Sequence, residues 1–413
     1  MTRRVVITGM GTVNPLGKTV SETWENILNG VSGVGPVTHC DTSDLLTQIA
    51  CEVKDFQPTD YLDAKQARRV DRFQQFAIAA CREAFHQSGL EVEKENPSRI
   101  AAIVSSAVGG LDAIQETVTT LIEDGPRRIS PFMTPMFMAN GAAGLIAIEK
   151  GIKGPCFSIA SACASANDAI GQAALLIQFN RVDVAITGGS EATINRTGIS
   201  VFDRLGALSR RNEDYHLTPS PFDRDRDGFV MAEGAAILIL ESLEHAKARD
   251  ARIFAELIGY GSTVDAFHVT APAEDGSGAG EAILLALEMA GLNPADVDYV
   301  NAHGTGTELN DISETRAIKL AFGDHAYRVP VSSTKSMTGH MIGATGALES
   351  IFCILAIQNS ILPPTIHLQN PDPLCDLDYV PNEARQATVK TALNNAFGFG
   401  GQNAVLAFRA FSG

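Results

Sequence analysis

"SIASACASANDAIGQAALLIQF", residues 158–179, changes character in its middle. Its beginning continues "GPCF" (154–157) and reads as a short strand. From Ala166 onward, apolar residues recur at helical spacing (Ala166, Ala169, Ile170, Ala173, Leu176), which predicts a helix. A single cysteine, Cys163, stands where strand gives way to helix, among small residues. A thiol placed there meets the positive end of a helix dipole and unpaired backbone N–H groups, which lower its pKa and make it a nucleophile. Its small neighbours leave room for a bulky group on sulfur. The bland alternative is a cysteine acting as a small buried hydrophobe, and the rest of the chain must decide between the two.

Working outward, strand and helix signals alternate. "FQQFAIAACREAFHQS" (73–88) places Phe73, Phe76, Ala77, Ala80 and Ala84 on one face, with Gly89 as its C-cap. "RIAAIVSSAVGG" (99–110) reads as a buried strand ending in glycines. The second half repeats the phrasing: "GEAILLALEMAGL" (280–292) is a helix ending at Gly291, and "VDYVNAHGTGT" (297–307) a strand ending in a glycine turn. "RVVITGMG" (4–11) is echoed by "FAELIGYG" (254–261). The helix after Cys163 is echoed by "GATGALESIFCILAI" (343–357), which follows His340. The alternation predicts an α/β class, and the echoes predict two similar halves, residues 1–250 and 251–413. A chain of 413 residues, 45% hydrophobic, is long enough for two cores.

Bulk properties exclude several classes. A net charge of −16 argues against nucleic acid or an anionic membrane as partner. Apolar runs such as "GAAILIL" (234–240) fall short of a membrane span, and "MTRRVVITGMG" lacks the apolar region of a secretory signal, so a cytoplasmic location is expected. Seven cysteines, at 40, 51, 81, 156, 163, 353 and 375, stand singly with no CxxC pair. That suits a reducing compartment and argues against a disulfide framework or a zinc site.

A nucleophilic cysteine needs partners. "NAHGTGTELND" (301–311) places His303 at a strand end beside glycines, and "SSTKSMTGHMIGATGALES" (332–350) places Lys335 and His340 before a helix. The other seven histidines have no such setting and read as surface or packing residues. Glu349 sits among apolar residues. If buried it needs a cation, and Lys335 is the natural one. "NNAFGFGGQNAVLAF" (394–408) is a glycine-laced turn that can aim backbone N–H groups at an oxyanion, with Phe397 and Phe399 beside a pocket. Two patterns are decoys. "DRDRDG" (223–228) opens like a calcium loop but has Gly234 where the closing glutamate belongs. "GMGTVNPLG" (9–17) lacks dinucleotide-fingerprint spacing.

Taken together, "SACASAND", "NAHGTGT", "STKSMTGHMIGATGALE", "PFDRDRDGFVMAEGA" and "FGFGGQNA", in this order, resemble the β-ketoacyl-acyl-carrier-protein synthases, above all the elongating synthase II type, from residue 3 to 409. The resemblance implies a thiolase-like fold of two similar halves in five α-β-α-β-α layers, a homodimer, and a Cys-His-His site. Cys163 would carry the acyl chain as a thioester, with the N–H groups of Cys163 and Phe399 as oxyanion hole. His303 and His340 would assist decarboxylation of malonyl-carrier protein, and Lys335 and Glu349 would hold the site's electrostatics. Thr305 and Thr307 would contact the pantetheine arm. Phe399 would gate an acyl pocket bordered by Phe397, Val108 and Phe202. No redox cofactor is implied. A structural monovalent cation is, near Asn301, Ala302, Glu349 and Asn394 or Asn395. The basic clusters Lys65, Arg68, Arg69 and Arg127, Arg128 are expected to border the entrance and dock the acidic acyl carrier protein.

The sequence departs from the family wording at Ser161, where threonine is usual, at Ala107 and Val108, where glycine and isoleucine are common, at Ala232, where glycine is usual, and in "HGTGTELND". None of these removes a catalytic group. They leave chain-length preference open and sustain a second reading, a stand-alone ketosynthase of a type II polyketide or polyene pathway, paired with a ketosynthase-like subunit. Cys163 argues against a non-catalytic chain-length subunit. The two histidines, with Cys375 in the ordinary loop "PDPLCDLD", argue against a thiolase proper.

Overall fold

A computed structural model describes residues 2–413. Ten strands carry it: β1 (Val5–Val13), β2 (Ile100–Ser105), β3 (Cys156–Phe157), β4 (Val184–Glu191), β5 (Gly234–Ser242), β6 (Ala255–Val264), β7 (Tyr299–Asn301), β8 (Val331–Ser332), β9 (Thr391–Gly398) and β10 (Gln402–Arg409). Their spatial order is β8-β7-β9-β10-β6-β1-β5-β4-β2-β3. Read outward from the middle, the first half runs β1-β5-β4-β2-β3, and adding five to each number gives the second half. Directions repeat too: β1, β5 and β4 pair antiparallel and β4, β2 and β3 parallel, as do β6, β10 and β9, then β9, β7 and β8. The two five-stranded sheets join through only three antiparallel pairs, Val5–Ile7 against Ala255–Leu257.

Seven helices matter to the site: α1 (Arg72–Ser88), α2 (Leu111–Glu123), α3 (Gly141–Lys150), α4 (Ser165–Gln178), α5 (Ser277–Ala290), α6 (Glu308–Phe322) and α7 (Thr345–Asn359). Helices α1 and α3 cover the outer face of the first sheet, and α5, with α6 beside it, covers the second. Helices α4 and α7 lie between, each touching strands of both halves. The result is the thiolase-like α-β-α-β-α stack. The stretch 342–359 is apolar and long enough to cross a membrane by length and composition, which the sequence reading did not expect. It is 83% buried because α7 is enclosed between two sheets. The strand expected over 154–162 is shorter: only Cys156 and Phe157 pair, at the exposed sheet edge, and the chain then runs free into the turn at Cys163.

The N-terminal echo has a packing cause. A Cβ on Gly9 or Gly11 would lie 2.3 Å from Ala84 O or 2.1 Å from Ala80 O on α1. On Gly259 or Gly261 it would lie 2.2 Å from Ala286 O or 2.1 Å from Ala282 O on α5. Both halves use G-x-G to seat a strand directly on a helix backbone. Gly11→Ala and Gly261→Ala should therefore each destabilise the protein by about 1–3 kcal/mol or more through overpacking. Gly35→Ala, with nothing within 4 Å of the new methyl, should stay within about 0.5 kcal/mol. Urea unfolding of the three variants checks this, and equal midpoints would refute the packing account.

Candidate active site

The nucleophile turn is built from its own residues. Ser165 Oγ accepts from the Ser161 N–H (2.8 Å) and donates to Ala162 O (2.6 Å), closing a tight loop in which Ala162 has φ +50°. Cys163 follows, 7% exposed, just before α4. The end of β9 lies against this turn because residue 398 is glycine: a Cβ there would sit 2.9 Å from both Cys163 N and Ser161 O. That approach brings the N–H groups of Phe399 and Cys163 near enough to the sulfur to favour its thiolate.

His303 leaves the end of β7. Its N–H and that of Gly304 donate to the Glu314 carboxylate on α6 (2.8 and 2.7 Å), which also accepts from Asn395 Nδ2 (3.1 Å). His340 precedes α7, with its N–H on Val230 O and its Nδ1 2.9 Å from the Thr345 hydroxyl. One ring nitrogen of each histidine and Cys163 Sγ lie within 4.8 Å of one another. The imidazole centroids are 5.4 Å apart at 82°. His340 Nε2 and His303 Nδ1 are buried without a partner in the chain. Behind them, Lys335 Nζ meets Glu349 Oε1 at 2.6 Å, both side chains 1% exposed.

Burial, aided by the Lys335 charge, holds both imidazoles well below their ordinary pKa, so both are neutral. Burial likewise pushes the Cys163 thiol up to about 11, outweighing the Lys335 charge and the two N–H donors. The expectation from the helix terminus is thus reversed: water is excluded more completely than the dipole compensates. Burial also raises Glu349, despite Lys335, and Glu314, despite its donors, each to about 7.

A cavity of about 340 Å³ opens onto these groups, lined by Cys163, His303, His340, Thr305, Thr307, Phe397 and Phe399 among others. The two threonine hydroxyls are 2.9 Å apart. Two expected pocket residues fall outside its wall. Phe202 stands behind it, edge-on to lining residue Phe229 at 5.9 Å and packed on the apolar cluster that includes Cys163. Val108 lies in the partly exposed loop leading into α2. Lys65, Arg68, Arg69, Arg127 and Arg128 are all exposed, and none lines the cavity; Arg69 stacks on Phe132 at 4.2 Å.

The aspartates of "DRDRDG" are used internally. Asp223 accepts from the Gln369 and Asn370 N–H groups, and the buried Arg226 pairs with Asp311 and Asp372. Sequence reasoning missed Glu314 and Glu191. Glu314 was detectable, since Asp311, Glu314, Thr315 and Ile318 share one buried helix face. Among the other histidines, His245 does more than pack: it bridges Glu241 and Glu95.

The buried side-chain oxygens without a partner among the described residues include Glu349 Oε2, Asn301 Oδ1, Asn394 Oδ1 and Asn395 Oδ1. Hard oxygen donors around one carboxylate fit the monovalent cation that the resemblance implies. Asn394 and Asn395 leave opposite faces of β9, so they are alternatives.

A doubled five-layer sheet with a cysteine and two histidines at its seam defines a thiolase-like condensing-enzyme scaffold. The chain belongs to the beta-ketoacyl synthase family: the N-terminal domain of that family matches residues 2–246 and the C-terminal domain residues 254–369. It is 48% identical over 409 residues to a 3-oxoacyl-[acyl-carrier-protein] synthase 2 of Synechocystis sp., covering 99% of this chain and 98% of that one. It is 47% identical over 409 residues to the protein of that name from Staphylococcus aureus, covering 99% of each. Among solved structures, the ishigamide ketosynthase/chain length factor matches with TM-score 0.93 at 36% identity, covering 100% of each chain. A type II PKS acyl-carrier protein in complex with its ketosynthase bound to the hexaketide matches with TM-score 0.92 at 37% identity, again covering 100% of each.

A thiol raised to about 11 beside neutral imidazoles reacts only through its small thiolate fraction. Alkylation of Cys163 by iodoacetamide should therefore rise about tenfold per pH unit from pH 7 to 9. Lys335→Met should slow it further at each pH. A rate already level below pH 7 would indicate a thiolate–imidazolium pair instead.

Proposed function

We propose that this protein is a 3-oxoacyl-[acyl-carrier-protein] synthase, an acyltransferase of fatty acid elongation. The observation that carries the reading is the convergence of Cys163, His303 and His340 within 4.8 Å on the wall of one cavity. In the first half-reaction, Cys163 sulfur attacks the thioester of an acyl-carrier protein. A neutral imidazole takes the thiol proton and passes it to the departing carrier thiol. The N–H groups of Cys163 and Phe399 hold the oxyanion.

Malonyl-carrier protein then enters, its pantetheine arm beside Thr305 and Thr307. Loss of carbon dioxide places negative charge on the thioester oxygen, where His303 and His340 donate hydrogen bonds. Neutral imidazoles suit this task, since each carries one N–H donor without the cost of a buried charge. The carbanion attacks the acyl-Cys163 carbonyl, a carbon–carbon bond forms, and the Cys163 thiolate leaves. Burial, aided by the charge of Lys335 that Glu349 fixes in place, keeps both histidines neutral.

Sequence identity favours fatty acid elongation over a polyketide pathway: 47–48% to synthase 2 proteins against 36–37% to the polyketide-related structures. The protein is taken as cytoplasmic, as two halves meeting near residue 250, and as a homodimer. Exposed Ile114, Val118 and Ile122 form a stripe on α2, and Ile148 and Phe157 are exposed near the open edge strand β3. Such a stripe beside an unpaired strand suits a second copy of the chain. Lys65, Arg68, Arg69, Arg127 and Arg128 are exposed cations for an acidic carrier protein.

Mixed with acyl- and malonyl-carrier protein, the protein should give one β-ketoacyl extension by mass spectrometry. Repeated extension, or none without a second subunit, would favour the polyketide reading. Cys163→Ala should abolish condensation, and His340→Ala should block carbon dioxide release from malonyl-carrier protein. Normal turnover in either variant would refute the mechanism.

A monovalent cation held by Glu349, Asn301, Ala302 and Asn394 or Asn395 would neutralise the buried carboxylate oxygen that Lys335 does not reach. Potassium in place of choline at equal ionic strength should raise the melting temperature, and Glu349→Gln should erase the difference. Identical melting in both salts would remove the cation from the account.

A further inference from the structure

Outside the triad, one buried carboxylate has a donor set assembled from two separate loops. Glu191, at the end of β4, is fully buried. Its Oε1 accepts from Ser106 Oγ (2.8 Å) and Val108 N (3.4 Å), its Oε2 from Ala107 N (2.9 Å) and Gly343 N (3.1 Å). Ser105 Oγ adds a second tie, donating to Gly343 O at 3.1 Å. Residues 105–108 leave β2; Gly343 belongs to the loop between His340 and α7. Glycine is required at 343 by this clasp: a Cβ would lie 2.5 Å from Ala107 N and 2.8 Å from Glu191 Oε2.

The residue beside Gly343 is strained. Ile342 has φ +44°, a conformation that a β-branched side chain avoids and that persists only where the surroundings impose it. It is 3% exposed and packs in the apolar cluster that contains Cys163, Ile194, Ile199, Leu208, Phe229 and Met231, with Ala107 against it. The two loops clasped by Glu191 thus supply two sides of the apolar cluster packed around the nucleophile.

We infer that Glu191 is a positioning residue that sets acyl-chain selectivity, by pinning Ile342 in its strained conformation against the wall formed by Ala107. The inference rests on the reading of Cys163 as the acyl carrier. Glu191 touches neither sulfur nor imidazole. Its charge adds to the raised pKa of the Cys163 thiol, which acts on both chain lengths alike, so its effect on selectivity falls on how far a chain extends past Cys163.

The test compares Cys163 acylation by butanoyl- and dodecanoyl-carrier protein, followed by intact mass. Acylation of the parent protein at Cys163 checks the underlying reading separately, since its failure there defeats that reading before any variant is compared. In Glu191→Gln, where the side-chain NH2 must face backbone donors, the dodecanoyl-to-butanoyl rate ratio should change at least threefold. Ser106→Ala removes one donor while leaving the loop backbone in place, and should shift the ratio in the same direction by a smaller factor; it carries the test should the glutamine variant not fold. Glycine tolerates positive φ, so in an Ile342→Gly background the Glu191→Gln or Ser106→Ala change should alter the ratio less than threefold. A Glu191→Gln ratio that stays within threefold of the parent's, a Ser106→Ala ratio equal to the parent's, or an equal effect with and without Ile342, overturns the inference. A merely structural glutamate would slow both chain lengths alike.

Discussion

The whole centre of the molecule hangs on one polar contact between the two buried helices. Asn167, in the first turn of α4, donates to Asn394 O (3.1 Å) and Ala404 O (3.0 Å), and accepts from Asn394 Nδ2 (3.1 Å). Asn394 Nδ2 also reaches Gly346 O (2.7 Å) and Ser350 Oγ (2.9 Å) on α7. A Cβ at residue 346 would sit 2.4 Å from Asn167 Oδ1, so only glycine lets α7 come this near. Cys163 is four residues before Asn167, His340 six before Gly346, and Phe399 five after Asn394. One buried amide network, whose N–H donors all find acceptors, thereby fixes nucleophile, imidazole and oxyanion donor relative to one another.

Exclusion of water also decides the electrostatics. The same burial that fixes the geometry makes charge expensive, and the thiol and both imidazoles respond by favouring their neutral forms. The histidines lose their protons and the thiol keeps its own. The ion pair between Lys335 and Glu349 survives because the two are in contact at 2.6 Å. The resting site is a set of neutral donors and acceptors around a cavity. Charge appears there only as the reaction creates it, which is where preorganised hydrogen bonds have most effect.

Much of this was legible in the chain because local rules and global fold agree. The paired G-x-G strands announce the duplication, since close strand-on-helix packing forbids any other residue at Gly11 and Gly261. Strand-end glycines mark His303, and "GFGG" marks the hairpin that carries Phe399. What was not legible depends on contacts between segments far apart in sequence. Glu191 gathers residues 106–108 and 343. No spacing rule connects those positions. Val108 does not line the cavity at the triad, because its loop is tied back to Glu191, a contact fixed by tertiary packing. The raised thiol pKa was missed because a helix terminus is visible in sequence and the depth of burial is not.

The departure at Ser161 can now be judged by what its side chain touches. Ser161 Oγ donates to Asp168 Oδ2 at 2.5 Å, and the other oxygen of Asp168 accepts from Tyr260 Oη at 2.6 Å. Tyr260 comes from β6 in the opposite half and lies over Gly171, where a Cβ would meet its ring at 2.4 Å. The hydroxyl at 161 therefore belongs to a chain that runs from the second half into the strained turn before Cys163. Serine keeps that hydroxyl, and relative to threonine only a methyl is gone. The change leaves the nucleophile's support intact and alters only the packing next to it.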